Sequence, residues 1–286
     1  MFPSDFEYAA PTTIQEALDL LSQNPEAKVL AGGHSLLPAM KLRLTSPALL
    51  VDISKIPELK GIHANGSVTI GAFTTYNELE NSQELAQRVP MLVECAKNIG
   101  DPQVRNRGTI GGALAHSDPA ADMTAVVLAL GADIKAVGPN GERTIAVDNF
   151  FVDMLQSALE EGELLTEITV PQMSGKVGMA YEKFKHPASG YAIVGVAALV
   201  QLDDSGTIAA CRIAVTGAGP KAQRATAAEN LLLNQQSSPD GIASAAAQAS
   251  SGLDFIGDIS ASEEYRAHLT QVLAKRALTK ALERAQ

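Results

Sequence analysis

The sequence predicts an α+β fold in two parts, and three observations carry that expectation. Before Pro171, short apolar runs alternate with segments of helical period. At Pro171–Gly178 the composition shifts to proline, glycine and small polar residues. Beyond it stand two long strand-like runs and then alanine-rich helices. The boundary is therefore placed to give domains of residues 1–176 and 177–286.

The elements follow in order. Thr13 and Glu16 fit a capping box, Ile14, Ala17, Leu18 and Leu21 share a face, and Asn24-Pro25 stops the helix. AKVLAGG is a short buried strand running into a glycine pair. Pro47–Ile56 is a strand and turn, and Ser67–Leu79 a strand followed by a helix start. Met91–Gly100 has helical period and ends in glycine, a common stop. Asp122–Gly138 is a buried helix, a glycine stop and a strand, followed by the turn Pro139-Asn140-Gly141. Past the boundary, YAIVGVAALVQL and TIAACRIAVTG are strands joined by Asp203-Asp204-Ser205-Gly206. The last helix, Ser262 to Arg284, puts Tyr265, Leu269, Val272 and Leu273 on one face, with acids early and bases late as the helix dipole prefers.

Apolar residues make up 46% of the 286 and charged residues 19%, with no tryptophan. A core of Ala, Val, Leu and Ile suits close packing of helices on sheets. The net charge of −10 argues against nucleic acid or an anionic membrane as the main partner, since both demand a basic surface. Cys95 and Cys211 form no CxxC pair and cannot supply the four thiolates of an iron–sulfur cluster. The start MFPSDFEY lacks the basic-then-apolar pattern of a signal peptide, and the apolar run Tyr191–Val200 is too short to span a bilayer. The expectation is a soluble cytoplasmic protein without stable membrane insertion.

Two phrases stand out, VLAGGHSLLP (Val29–Pro38) and RGTIGGALAHSDP (Arg107–Pro119). Glycine admits positive φ and close approach, so consecutive N–H groups can share a concavity that holds an anion. Two such nests facing each other suit a pyrophosphate, and so a dinucleotide. Neither phrase carries G-x-G-x-x-G or GK[ST], which excludes a Rossmann fingerprint and a P-loop. Lys97, Arg105 and Arg107 stand against Asp101, which fits an anionic ligand and equally fits surface ion pairs. His34 suits a ligand contact, a covalent flavin link, or a loop histidine satisfied by backbone. Ser35 can donate to phosphate or cap a helix beginning at Leu36. His116 fits a loop role. Of Asp118 and Asp122, one can cap the next helix and the other accept from ribose hydroxyls. There are no paired carboxylates, metal-ligand spacing or nucleophile elbow. A dinucleotide binder without acid–base machinery is expected to be a redox carrier whose cofactor does the chemistry.

AGGHSLLPAMKLRL, GDPQVRNRGTIGGALAHSDPAAD and YEKFKHPASGYAIVGVAA together resemble the flavin-binding medium subunits of molybdenum hydroxylases of the xanthine oxidase family, nearest to the carbon monoxide dehydrogenase type. The resemblance runs over nearly the whole chain. It implies a two-lobed FAD-binding domain of the PCMH type (lobes about 1–56 and 57–176), then a small antiparallel sheet with helices. It implies noncovalent FAD. Ala31, Gly32, Gly33, His34, Ser35 and Leu36 match the family's first pyrophosphate loop, and Thr109, Ile110, Gly111, Gly112 and Ala113 the second. Gly100 lies where the family chain skirts the cofactor, and Asp122 matches an acidic residue on the adenosine side. Leu165 and Lys185 match positions lining the flavin, and Tyr191 an aromatic residue near the isoalloxazine ring. Many relatives carry asparagine or serine where Ala113 stands, so a side-chain bond is replaced by backbone alone. The resemblance further implies no catalytic residue for the substrate on this chain. A large subunit with a molybdenum cofactor and a small subunit with [2Fe–2S] clusters are the implied partners, in a dimer of heterotrimers, with electrons leaving to an external acceptor. Two other readings compete: a self-sufficient flavin oxidase with His34 linked to its cofactor, and an assembly protein without cofactor.

Overall fold

The computed structural model describes residues 2–286. The first lobe comprises β1 (Glu7–Ala9), α1 (Ile14–Gln23), β2 (Ala27–Leu30), α2 (Leu36–Lys41) and β3 (Leu49–Asp52). Its strands form a parallel sheet in the order β1-β3-β2. Ala17 and Leu18 of α1 pack on Val51, Ile53, Ile56 and Leu59. Thr13 caps α1 by accepting the Glu16 N–H. The capping box is only half formed, because the Glu16 carboxylate turns instead to the N–H and hydroxyl of Thr12 at 2.7 and 3.1 Å. Asn24 closes the helix as expected, its N–H on the Leu21 carbonyl and its side-chain amide on that of Leu20.

The second lobe opens with the hairpin β4 (Ile62–Asn65) and β5 (Ser67–Gly71). It continues through α3 (Tyr76–Asn81), α4 (Gln83–Arg88), α5 (Pro90–Lys97), α6 (Pro102–Arg105), α7 (Ile110–His116) and α8 (Asp122–Leu130). It then adds β6 (Asp133–Gly138), β7 (Gly141–Ala146), the small hairpin β8 (Phe151–Asp153) and β9 (Gln156–Ser157), and β10 (Leu164–Val170). The large sheet is antiparallel in the order β4-β5-β10-β6-β7. All of α8 is buried, and Gly131 ends it at φ 63°. That left-handed turn is the geometry a glycine stop supplies. α5 ends earlier than its glycine suggests: Asn98 is the cap, and Gly100 sits beyond it in a turn of its own at φ 49°.

The C-terminal part is an antiparallel sheet of β11 (Lys176–Lys185), β12 (Ala192–Leu202), β13 (Ile208–Thr216) and β14 (Gln223–Arg224). It is followed by α9 (Thr226–Leu232), α10 (Pro239–Ala247) and α11 (Glu263–Ala285). The β12–β13 turn is organised by Asp203, whose carboxylate accepts the N–H groups of Ser205 and Thr207, both at 2.9 Å. β12 is buried on both faces, which is why its sequence is a continuous apolar run. One face of the β11–β12 pair joins the second lobe's core, through Met179 and Tyr181 of β11 and Ala197 and Leu199 of β12. The other packs Val194, Val196 and Val200 on Leu273, Ala277, Leu278 and Ala281 of α11. Each fully buried leucine or valine contributes about 1.5–3 kcal/mol.

The buried face of α11 differs from the expected one. Tyr265 is 43% exposed and Val272 only half-buried, whereas Arg266, Leu269, Thr270, Leu273 and Ala277 face the sheet. Tyr265 instead packs edge-on against Phe184 at the rim. Arg266 can occupy the stripe because its guanidinium donates to the carbonyls of Ile193 and Gly217 at 2.6 and 2.5 Å, and to Asp258 at 2.7 Å. A charge that apolar patterning assigns to solvent is buried where fixed acceptors await it.

Candidate functional site

The two glycine phrases meet. A Cβ at Gly32 would collide with the Arg107 carbonyl oxygen and lie 2.9 Å from the Gly108 Cα. Gly32 is therefore glycine so that one loop can rest on the backbone of the other. Gly33 has φ 77°, a left-handed conformation that a side chain strains. Gly111 packs against Ala72, whose Cβ and carbonyl oxygen would lie 2.5 and 2.6 Å from an added Cβ. Gly112 is different. Outside its own helix, a Cβ there meets only the Thr109 hydroxyl at 2.7 Å and the Ala31 Cβ at 3.5 Å. Its side-chain direction opens between the two phrases.

The backbone donors are divided unequally. The N–H groups of Gly32 to Leu36 have no partner among the described residues. In the second phrase Ile110 N–H donates to Thr74 O at 3.0 Å and Gly111 N–H to Ala72 O at 2.9 Å. Gly112 N–H meets the Thr109 hydroxyl at 3.2 Å and Ala113 N–H the Thr109 carbonyl at 3.1 Å. This corrects the expectation of two open nests. The second phrase is a helix start capped by Thr109 and laid against the loop after β5, so its donors are already used; only the first is an open run of N–H groups.

Ser35 stands at the N-cap of α2 but makes no side-chain capping bond, so its hydroxyl is not used as a cap. His34 is exposed. Arg105 is a structural brace, its guanidinium on Glu80 at 3.0 Å and on the carbonyls of Ile99 and Gly100 at 3.2 and 3.3 Å. It thereby holds the Gly100 turn, and one of the three local cations is accounted for by an ion pair. Asp101 caps α6 through Val104 N–H. Arg107 is exposed beside Asp52. Burial pushes the Asp52 carboxyl up, but the Tyr8 hydroxyl, the Ser54 N–H and Arg107 outweigh it and hold it below the usual carboxylate range.

Neither Asp118 nor Asp122 caps α8; Ala121 occupies that position without a side-chain bond. Asp118 instead accepts from Ala120 N–H at 2.8 Å. His116 closes α7 rather than lying in a loop. Asp122 is 6% exposed and its two oxygens bond the Tyr181 hydroxyl and the Lys183 ammonium. Burial pushes its carboxyl above the ordinary range, against the pull of Lys183 and Tyr181. An open ribose acceptor is not what this carboxylate presents, because partners from β11 already fill it. Leu165 is 3% exposed inside the second lobe's core, so its side chain lines no open cleft. Ala113 is half-buried and packs on that same core.

Lys185 is exposed at the end of β11. Tyr191, at the start of β12, is 45% exposed. Its phenol is pushed up by burial and by Asp118, while the Ser35 hydroxyl beside it pulls the other way. Tyr191 thus meets the first phrase across the chain. A cleft of ≈ 310 Å³ opens on Tyr191, also lined by Pro119, Ala120, His186, Gly217 and Arg266. Sequence reasoning missed Lys183 and Tyr181. Lys and Tyr two apart on a strand near Lys185 were the only signal, and nothing local says they are buried.

Among the described residues no group of three or more His, Cys, Asp or Glu is placed to hold a metal ion. Among the described residues no helix is long and apolar enough to cross a membrane. Cys95 and Cys211 are free and buried.

Two family models match the chain. Residues 4–173 match the FAD binding domain in molybdopterin dehydrogenase, and residues 179–281 the CO dehydrogenase flavoprotein C-terminal domain. The carbon monoxide dehydrogenase medium chain of Hydrogenophaga pseudoflava is 42% identical over 98% of both chains. The 6-hydroxypseudooxynicotine dehydrogenase complex subunit alpha of Paenarthrobacter nicotinovorans is 40% identical over 100% of this chain and 97% of its own. A solved structure of the Hydrogenophaga pseudoflava carbon monoxide dehydrogenase superposes with a TM-score of 0.95, covering 99% of each chain at 43% identity.

Proposed function

This chain belongs to the family of FAD-binding subunits of molybdopterin dehydrogenases, and from that premise we propose how its residues hold the cofactor. It is the FAD-carrying medium subunit of a molybdenum hydroxylase complex of the carbon monoxide and xanthine dehydrogenase type. The large subunit carries the molybdenum cofactor, and the small subunit carries the iron–sulfur clusters. Relatives of nearly equal similarity are named for carbon monoxide and for 6-hydroxypseudooxynicotine, two chemically unlike fuels. A kind of subunit that recurs in complexes with such unlike fuels does not choose the fuel. The large subunit does.

The observation that carries the binding reading is the open run of five N–H groups from Gly32 to Leu36, set against the glycine start of α7. A pyrophosphate is an anion that such a run can satisfy, each hydrogen bond to a charged group contributing about 1.5–3 kcal/mol. The bare Cα of Gly112 leaves room on the facing side, where a branched side chain would fill the cradle. Ser35, free of capping duty, adds a hydroxyl donor. The residues present therefore fit FAD. Bound there, FAD supplies the redox chemistry that links electrons arriving from iron–sulfur clusters to an external acceptor. Tyr191 would face the flavin and limit water on that side, with Lys185 nearby as an exposed cation. Asp122 contributes through the head of α8, which its bonds to Lys183 and Tyr181 hold in place. Leu165 contributes through its main chain, Thr109 and Ala113 through the capped turn, and Gly100 through the bend that Arg105 holds.

We place the division between the FAD domain and the C-terminal domain at residue 176, the complex in the cytoplasm, and the assembly as a dimer of heterotrimers. The self-sufficient oxidase reading is not favoured, since relatives matched along their whole length are subunits of complexes. The test is direct. Chain purified with FAD should show a flavin spectrum, release all colour into the supernatant on acid precipitation, and oxidise no carbon monoxide by itself. A yellow pellet would mean a covalent link, and turnover by the isolated chain would end the carrier reading.

A further inference from the structure

Lys183 lies two residues beyond Tyr181 on β11, so the strand's period turns both side chains toward α8. The Lys183 side chain is 4% exposed. Its ammonium donates to Asp122 at 2.8 Å and to the Asn98 carbonyl at 3.2 Å. Tyr181 donates to the other Asp122 oxygen. The space is built for this group: Gly195 pairs with Lys183 across the ladder, and a Cβ there would strike the Tyr181 hydroxyl. From β13 the Thr216 hydroxyl adds contacts to the carbonyls of Pro119 and Ala121 at 2.8 and 2.9 Å. The C-terminal sheet therefore grips the start of α8 and the end of α5 together.

Stability alone is a poor reason for this arrangement. Desolvating an ammonium and a carboxylate offsets much of their attraction, and an apolar pair would join sheet to helix at least as well. What the ion pair adds is direction at both ends. We propose that Lys183 is a positioning residue for the cofactor cleft: one buried ammonium fixes Asp122 at the head of α8 and the Asn98 carbonyl at the entry to the Gly100 turn. Both segments are assigned to the cofactor, so their spacing is set by a residue outside the cleft. The inference rests on the FAD reading above.

The test uses the full chain stripped of FAD, titrated with FAD by flavin fluorescence, with thermal midpoints measured on the apoprotein. Lys183→Met should raise the FAD dissociation constant at least tenfold, and Lys183→Arg should recover most of that loss. Arg284→Met serves as the control, since Arg284 joins α11 to Glu94 and to the Met179 carbonyl further along β11. It should lower the thermal midpoint while leaving the FAD constant within twofold. Should Lys183→Met not accumulate as folded protein, Lys183→Gln, whose amide still donates, carries the same comparison with a smaller expected loss. Wild-type affinity in Lys183→Met or Lys183→Gln, or an equal loss in Arg284→Met, would overturn the positioning role and leave the FAD reading intact. A wild-type chain that binds no FAD would overturn both.

Discussion

Replacing Gly112 by valine separates binding from folding. The new Cβ lies 2.7 Å from the Thr109 hydroxyl and 3.5 Å from the Ala31 Cβ, with nothing else near outside its own helix. The hydroxyl can rotate away, at the cost of the N-cap bond it makes to Gly112 N–H. Losing such a cap costs about 0.5–2 kcal/mol. Replacing glycine in a helix returns a few tenths, since valine is the better helix former. The fold should therefore lose about 1 kcal/mol, which lowers the thermal midpoint of a chain this size by about 2–4 °C. The cradle should lose far more, because two methyl groups then stand where the bare Cα faced the first phrase. Flavin fluorescence titration should show the FAD constant raised by at least about a hundredfold, or about 2.7 kcal/mol. Calorimetry on the apoprotein supplies the midpoint. Wild-type affinity in a folded Gly112→Val chain would refute the reasoning, as would a collapse of the apoprotein fold.

Gly32→Ala should act on the fold, since its Cβ collides with the main chain of Arg107; a loss of about 1–3 kcal/mol, read by urea unfolding of the apoprotein, is expected. A loss under half that range would mean the two phrases separate easily. Acid should weaken the protein through Asp148. Burial pushes its carboxyl up, but Arg212 and Arg224 of the C-terminal sheet outweigh that and hold it low. A lowered acid stabilises the fold above its unfolded value, near 3.9, and that contribution disappears as pH falls below it. The part of the thermal midpoint owed to Asp148, read as wild type minus Asp148→Asn, should stay flat from pH 7 to about 5 and disappear below about 4. Asp148→Asn should cost under about 1 kcal/mol at pH 7 because the carboxylate is 45% exposed. An unchanged acid limb in Asp148→Asn would remove Asp148 from the account.

Much of the fold was legible because its signals are local. Thr13 and Asn24 bound α1, Gly131 stops α8, and Asp203 to Gly206 turn β12 into β13 through bonds made within a few residues. The glycine phrases were legible for the same reason: a missing Cβ is a property of one position. What lies opposite that position is not. The sequence alone could say that Gly32 and Gly112 permit close approach. Only the tertiary structure decided that Gly32 admits the Arg107 backbone while Gly112 meets no backbone outside its own helix, only the Thr109 hydroxyl and the Ala31 Cβ. It also decided that the Ile110 and Gly111 donors are taken by Thr74 and Ala72 while those of Gly32 to Leu36 are left free. The burial of Lys183, Asp122 and Arg266 follows the same logic. A charge enters the interior only where distant partners are already fixed, and partners supplied by another strand or helix leave no mark in the residues beside it.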